Sequence, residues 1–172
     1  MTENPAILES DCNENSAHTV CPCGSQQPYQ HCCQAAISGR QPARSAEALM
    51  RSRYSAFVMA EADYLIASTH PDYRQALSRA SMIDPQIRWR RLQIITTQQG
   101  TENDQEGQVR FIATYVEGGR FGTLEENSNF SRIDSHWYYR DGDTRSQTLK
   151  PQRNAPCPCG SALKFKHCCR QP

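Results

Sequence analysis

Apolar positions change their period once along this chain. From Ser45 to Ala80 they recur at helical spacing, and from Ile87 to Arg140 they mostly alternate with polar ones. The first pattern buries one stripe of a helix and the second buries one face of a strand. Ser45 is a suitable N-cap, with Glu47 in the first turn where the helix dipole favours a carboxylate. Leu49, Met50, Tyr54, Phe57 and Val58 then form one stripe. A second short helix is predicted over Glu61–Thr69, burying Tyr64, Leu65 and Ala62, and ending before Pro71. A third is predicted over Asp72–Ala80, with Tyr73, Ala76, Leu77 and Ala80 inward.

Past Pro85 the pattern predicts strands. Ile87, Trp89, Leu92 and Ile94 mark the first, and the slip in phase between Trp89 and Leu92 predicts a bulge. Gln99–Gly107 reads as a polar loop. Val109, Phe111, Ala113 and Tyr115 mark the second strand, and Gly118-Gly119 supplies a hairpin turn. Leu124, Ser128 and Phe130 lie in the third, followed by a turn at Asp134-Ser135. His136–Arg140 is the last strand, ended by Asp141-Gly142. Helices followed by antiparallel strands give an α+β class. The helices are expected to pack on one face of a curved sheet and enclose a cone-shaped cavity.

The flanks follow neither period. Near each end stand four cysteines spaced as C-x-C, eight residues, then C-C. Both copies begin Cys-Pro-Cys-Gly-Ser, end His-Cys-Cys, and place an aromatic residue, Tyr29 or Phe165, three positions before the third cysteine. Eight of the nine cysteines fall in these quartets, leaving Cys12 alone. Met1–Thr19 lacks the basic start and apolar middle of an export signal, so free thiols in a reducing cytoplasm are expected rather than a disulfide framework. Four thiolates so spaced suit a tetrahedral site, and zinc is the default ion, with iron an alternative that spacing does not separate. The expected ligands are Cys21, Cys23, Cys32 and Cys33 for one ion and Cys157, Cys159, Cys168 and Cys169 for a second. His31 and His167 are fallback ligands. A closed four-ligand site is structural by default; oxidation of the adjacent cysteines is the competing redox reading.

The expected organisation is a disordered lead-in (1–19), an N-terminal hook (20–34), a central domain (45–143), a linker (144–154) and a C-terminal hook (155–171). With few apolar residues to pack elsewhere, the hooks are expected to be separable, unless Tyr29 or Phe165 docks on the sheet. Formal charge is +1, so no broad nucleic-acid footprint is indicated; the run Arg88-Trp89-Arg90-Arg91 reads as a sheet rim. No apolar run is long enough to span a bilayer. Lys164, Lys166 and Arg170 give the second hook a basic rim, where the first has Gln26, Gln27 and Gln30. That rim either balances the thiolate charge or meets an acidic protein partner.

The two cysteine segments resemble the SEC-C motif, the zinc hook found at the C-terminus of the preprotein translocase motor SecA. There the last ligand is usually histidine, whereas here it is Cys33 or Cys169. The resemblance implies a protein-contact module, since the hook of SecA meets an export chaperone. In the middle, Arg51-Ser-Arg-Tyr-Ser-Ala-Phe57, Ala62-Asp-Tyr-Leu65, Thr69-His-Pro71, Glu126-x-Ser-x-Phe130 and Trp137-Tyr-Tyr-x-Asp-Gly142 resemble the YchJ-like bacterial family. That resemblance implies a nuclear transport factor 2-like cone between the hooks and brings no established reaction.

Two functional readings result. One is an interaction adaptor that works through its zinc hooks. The other is a binding module or acid–base enzyme, holding a small apolar ligand in the cone. For the second, the pocket candidates are Tyr54, Asp63, His70, Tyr115, Glu126 and Trp137, with Asp63, His70 or Glu126 as the titrating group. Each has a structural alternative: helix start for Asp63, helix end for His70, a pair with Arg51 or Arg53 for Glu126, core for the aromatics.

Overall fold

The computed structural model describes residues 20–170; the expected lead-in with Cys12, and the last two residues, lie outside them. A 3-10 turn at Tyr29–His31 precedes α1 (Cys33–Ile37), α2 (Ala46–Met59), α3 (Ala62–Ala67) and α4 (Arg79–Met82). Four strands follow: β1 (Ile87–Gln99), β2 (Glu106–Glu117), β3 (Arg120–Ile133) and β4 (His136–Leu149). A second 3-10 turn spans Phe165–His167. The strands form one antiparallel meander in the order β1-β2-β3-β4, so the class is α+β. No helix among the described residues is long and apolar enough to cross a membrane.

Helix α2 is built as its sequence predicts. The Ala48 amide donates to Ser45 Oγ at 3.1 Å, and Ala60 closes the helix in the left-handed region at φ +58°. Leu49, Met50 and Tyr54 are buried against Leu92, Val109, Phe111, Ala113, Phe130 and Trp137. These side chains fill the space between α2 and the sheet where a hollow was expected. Each such burial contributes about 1.5–3 kcal/mol. The expected bulge is present: Trp89 pairs with Tyr115 and Leu92 with Ala113, with a register shift between Trp89 and Arg91. Both residues therefore face α2 although they are three apart. Gly118 and Gly119, at φ +54° and +76°, form the two-residue hairpin between β2 and β3.

Several expectations need correction. Residues 72–78 form turns, and Tyr73 is half exposed. The helix begins only at Arg79 because Ser78 and Ser81 form a capping box, which fixes the start there. Strand β4 does not end at Asp141-Gly142. It runs on to Leu149, through most of the stretch expected to be a linker, because it keeps pairing with β3. Gly142 serves close approach instead of a turn: a Cβ there would lie 2.4 Å from Glu126 Oε1.

Register fixes the two faces of the sheet. Tyr115 shares α2's face with Gly122, while Thr114, Val116 and Phe121, together with Arg91, lie on the opposite face. Thr114 and Phe121 are nevertheless buried. The C-terminal hook packs on this face: Phe165 meets Phe121 edge-on, with ring centroids 5.6 Å apart.

Candidate metal centres

The two hooks share one backbone design. In the first, the Cys21 amide donates to the Gln27 carbonyl (2.8 Å) and the Gly24 amide to the Cys21 carbonyl (3.2 Å). In the second, the Cys157 amide donates to the Leu163 carbonyl (2.8 Å) and the Gly160 amide to the Cys157 carbonyl (3.1 Å). Gly24 at φ +77° and Gly160 at φ +85° supply the left-handed turn that folds each chain back on its first cysteine pair. The 3-10 turn then delivers the second pair: the amides of Cys32 and Cys168 donate to the carbonyls of Tyr29 and Phe165.

The thiol sulfurs of Cys21, Cys23, Cys32 and Cys33 all lie within 4.8 Å of one another, as do those of Cys157, Cys159, Cys168 and Cys169. Sulfur separations are 3.7 Å for Cys23–Cys32, 3.8 Å for Cys32–Cys33, 3.5 Å for Cys159–Cys168 and 3.8 Å for Cys168–Cys169. Four sulfurs at about 2.3 Å from a central ion would be about 3.8 Å apart. The donor sets thus fit a tetrahedral thiolate ion, and the distances are far beyond a disulfide bond. His31 and His167 are exposed and belong to neither cluster; His31 Nε2 instead meets Gln30 Nε2 at 3.0 Å.

Crowding sets the thiols' acidities against one another. Hydrogen bonds from Cys23 and Cys33 hold Cys21 far below the usual thiol range. Hydrogen bonds to Cys21 and Cys23, with burial, push Cys33 far above it. Without a cation the cluster keeps protons, and a dication would displace them.

Groups other than the cysteines complete each centre. Ser25 Oγ lies 3.3 Å from Cys32 Sγ, and Ser161 Oγ lies 3.2 Å from Cys168 Sγ. Both serines belong to the repeated Cys-Pro-Cys-Gly-Ser, so their pairing was present in the repeat although it was not singled out. Two further contacts had no signal at all. Ser55 of α2 reaches Cys21 Sγ at 3.5 Å, and Arg51 Nη1 donates to the Cys23 carbonyl at 2.9 Å. Gly24 also lies against the Leu92 carbonyl of β1, and Gly160 against the Arg91 side chain. The hooks are therefore docked on the body of the protein, the first against α2 and the β1 backbone and the second on the sheet face away from α2, where separable appendages were expected.

The acid–base candidates of the centre are not gathered. Asp63 is exposed and paired with Arg79 beside a surface depression bordered by Glu61 and Ile83. His70 is held by the turn after α3, its Nδ1 accepting from the Asp72 amide at 3.2 Å. Glu126 is buried and accepts from Ser128 Oγ at 2.5 Å. No hydrogen bond or ion pair joins any two of them among the described residues. Tyr54 and Trp137 are core, and Tyr115 packs its ring on Trp89 and Gly122. Arg53, expected as a partner for Glu126, is itself buried: Nη1 donates to the Leu65 carbonyl, Ser68 Oγ and Thr69 Oγ1, and the guanidinium lies over the Tyr139 ring. Burial draws its pKa down to about 10, so it stays charged at neutral pH.

A four-stranded cone carrying a four-thiol hook on each flank defines a SEC-C motif protein with a nuclear transport factor 2-like middle. The SEC-C motif matches residues 20–35 and 153–171, and the family described as "YchJ, middle NTF2-like domain" matches residues 45–142. The chain belongs to this YchJ-like family, and relatives similar to it are named UPF0225 proteins. It is 45% identical to a UPF0225 protein of Photorhabdus laumondii over 87% of this chain and 98% of that one. A UPF0225 protein of Serratia proteamaculans is 44% identical over 87% and 97%. The solution structure of a SEC-C motif containing protein from Rhodopseudomonas palustris superposes with a TM-score of 0.68 at 29% identity, covering 73% of this chain and 98% of that one. A crystal structure of a SEC-C motif containing protein from Psychrobacter arcticus gives 0.64 at 27% identity, over 90% and 97%. Motif and cysteine clusters together point to metal binding.

Proposed function

We propose that this protein is a cytoplasmic zinc-binding adaptor whose C-terminal hook contacts an acidic partner protein. The observation that carries the reading is a one-sided charge pattern. Residues 144–172 hold Arg145, Lys150, Arg153, Lys164, Lys166 and Arg170 and no aspartate or glutamate. The N-terminal hook, residues 20–34, has no charged side chain except its thiols. Docking through Phe165 turns the rim outward, leaving Leu163, Lys164 and Arg170 exposed. An apolar tip ringed by cations suits an acidic surface with an apolar centre. Zinc is favoured because a closed set of four thiolates suits a soft, redox-silent ion. A reducing cytoplasm is where such thiols stay free. The cone as a small-molecule site has no comparable support, because Asp63, His70 and Glu126 share no hollow.

Charge reversal tests this reading. Wild-type protein immobilised through its N-terminus should retain acidic proteins from lysate at low salt. The double variant K164E/K166E should lose them while keeping both metal ions, and added salt should weaken the wild-type capture. An identical set of captured proteins for wild type and variant would overturn the adaptor reading.

A further inference from the structure

The two thiol clusters have the same ligands but different surroundings. In the first, Cys21, Cys23 and Cys33 are 2%, 0% and 4% exposed. In the second only Cys157 is comparably buried, at 4%, while Cys159, Cys168 and Cys169 are partly open to solvent. The first cluster is also gripped by the body of the protein. Ser55 meets Cys21 Sγ, Arg51 holds the Cys23 carbonyl, and Cys33 opens α1, which packs on α2. The second is held to the sheet through Phe165 on Phe121 and Gly160 on Arg91, and no side chain of the central domain hydrogen-bonds its sulfurs among the described residues. Its flanks carry Arg91, Arg153, Lys164, Lys166 and Arg170.

We infer that the clusters have divided roles: the N-terminal cluster holds a permanent structural ion, and the C-terminal cluster is an exchangeable metal site open to anionic chelating ligands. Outer contacts to metal ligands are worth about 10–100-fold in affinity, and the first cluster alone has them from the domain. Exposure of three thiols lets a competing ligand approach the second site, and the surrounding cations draw an anionic one. The inference rests on the metal-binding reading of both clusters. It does not depend on the adaptor role.

The test uses the metal-loaded full chain, challenged with excess EDTA and sampled over time by native mass spectrometry. N-ethylmaleimide labelling of each sample, followed by peptide mapping, locates the freed thiols. One ion should leave in a fast phase as Cys157, Cys159, Cys168 and Cys169 become labelled. The second should leave at least about tenfold more slowly, with Cys21, Cys23, Cys32 and Cys33. K164Q/K166Q should slow the fast phase alone, by about two- to fivefold, and only at low salt. Loss of both ions in one phase, or earlier labelling of the N-terminal thiols, would overturn the division. A chain that carries no ion after reduced purification would overturn metal binding itself, and the division with it.

Discussion

Replacing Cys21 and Cys23 together by serine is expected to remove one metal ion and lower the stability of the central domain by about 3 kcal/mol, a fall of about 10 °C in Tm. The reason lies in what the first hook touches. Its thiols pack on one another with Tyr29 and Ile37 as a small second core. That core leans on α2, whose other side supplies Leu49, Met50 and Tyr54 to the main one. When the ion goes, the hook has too little apolar area to hold its shape, and α2 loses both its cover and the partners of Ser55 and Arg51. The same change at Cys157 and Cys159 should cost less, about 1–1.5 kcal/mol, since the chief loss is Phe165 on Phe121. Calorimetry of the two double variants gives the comparison. Hydrogen exchange adds its location: protection should fall along Leu49–Ser55 in the first variant and at Thr114 and Phe121 in the second. Equal shifts, or protection unchanged in α2, would contradict a docked N-terminal hook.

Arg53→Ala is the second large effect. Removing the guanidinium takes away the donor shared by the Ser68 and Thr69 hydroxyls and leaves the Leu65 carbonyl only those two hydroxyls. It also takes a cation from the neighbourhood of the buried Glu126 carboxylate. Breaking a buried charged network in this way costs about 3–5 kcal/mol. That is a large share of the stability of a domain this size. Urea unfolding should show it as a lower midpoint at unchanged slope. Arg53 ties α2 to the end of α3, and the same segment pairs with β4 through the Tyr139 amide on the Ser68 carbonyl (2.9 Å). The variant should therefore loosen Ser68–His70 first. A loss below about 1 kcal/mol would show that the network contributes little.

The parts of this fold that were legible in the sequence are those in which one face is buried. Leu49, Met50 and Tyr54 repeat at helical spacing because α2 has a wet side and a dry side. Val109, Phe111 and Ala113 alternate because along these positions β2 is dry on the face toward α2. Even the bulge at Arg90 could be read, because it shifts two core residues out of phase. The second half of β4 left no such trace. From Asp143 to Thr148 the side chains are exposed on both faces, and the strand persists through backbone pairing with β3, which composition does not record. Asp141-Gly142 looked like a turn for the same reason: the glycine answers to Glu126 on the neighbouring strand. The short helix α4 was misplaced because serine caps act locally and override a weak apolar stripe.

The candidate centres were legible because metal chemistry writes ligands into sequence at short range. Two copies separated by a constant 136 positions, Cys21 to Cys157 and Cys33 to Cys169, left little else to fit. What seats the hooks was not legible. Ser55, Arg51 and Arg91 are ordinary residues on ordinary elements, and only the fold brings them to a cysteine or a hook glycine. The same holds for the contrast between the clusters, which share every ligand type and differ in burial and in what the domain lends them.

The central claim is that each hook is a thiolate metal site. Native mass spectrometry of the protein purified under reducing conditions, paired with elemental analysis, tests it most directly. The expected result is a chain carrying two ions, identified as zinc, with the cysteines of both clusters unreactive to alkylation until a chelator is added. A metal-free chain with Cys21–Cys33 and Cys157–Cys169 joined within each cluster as disulfides would contradict it.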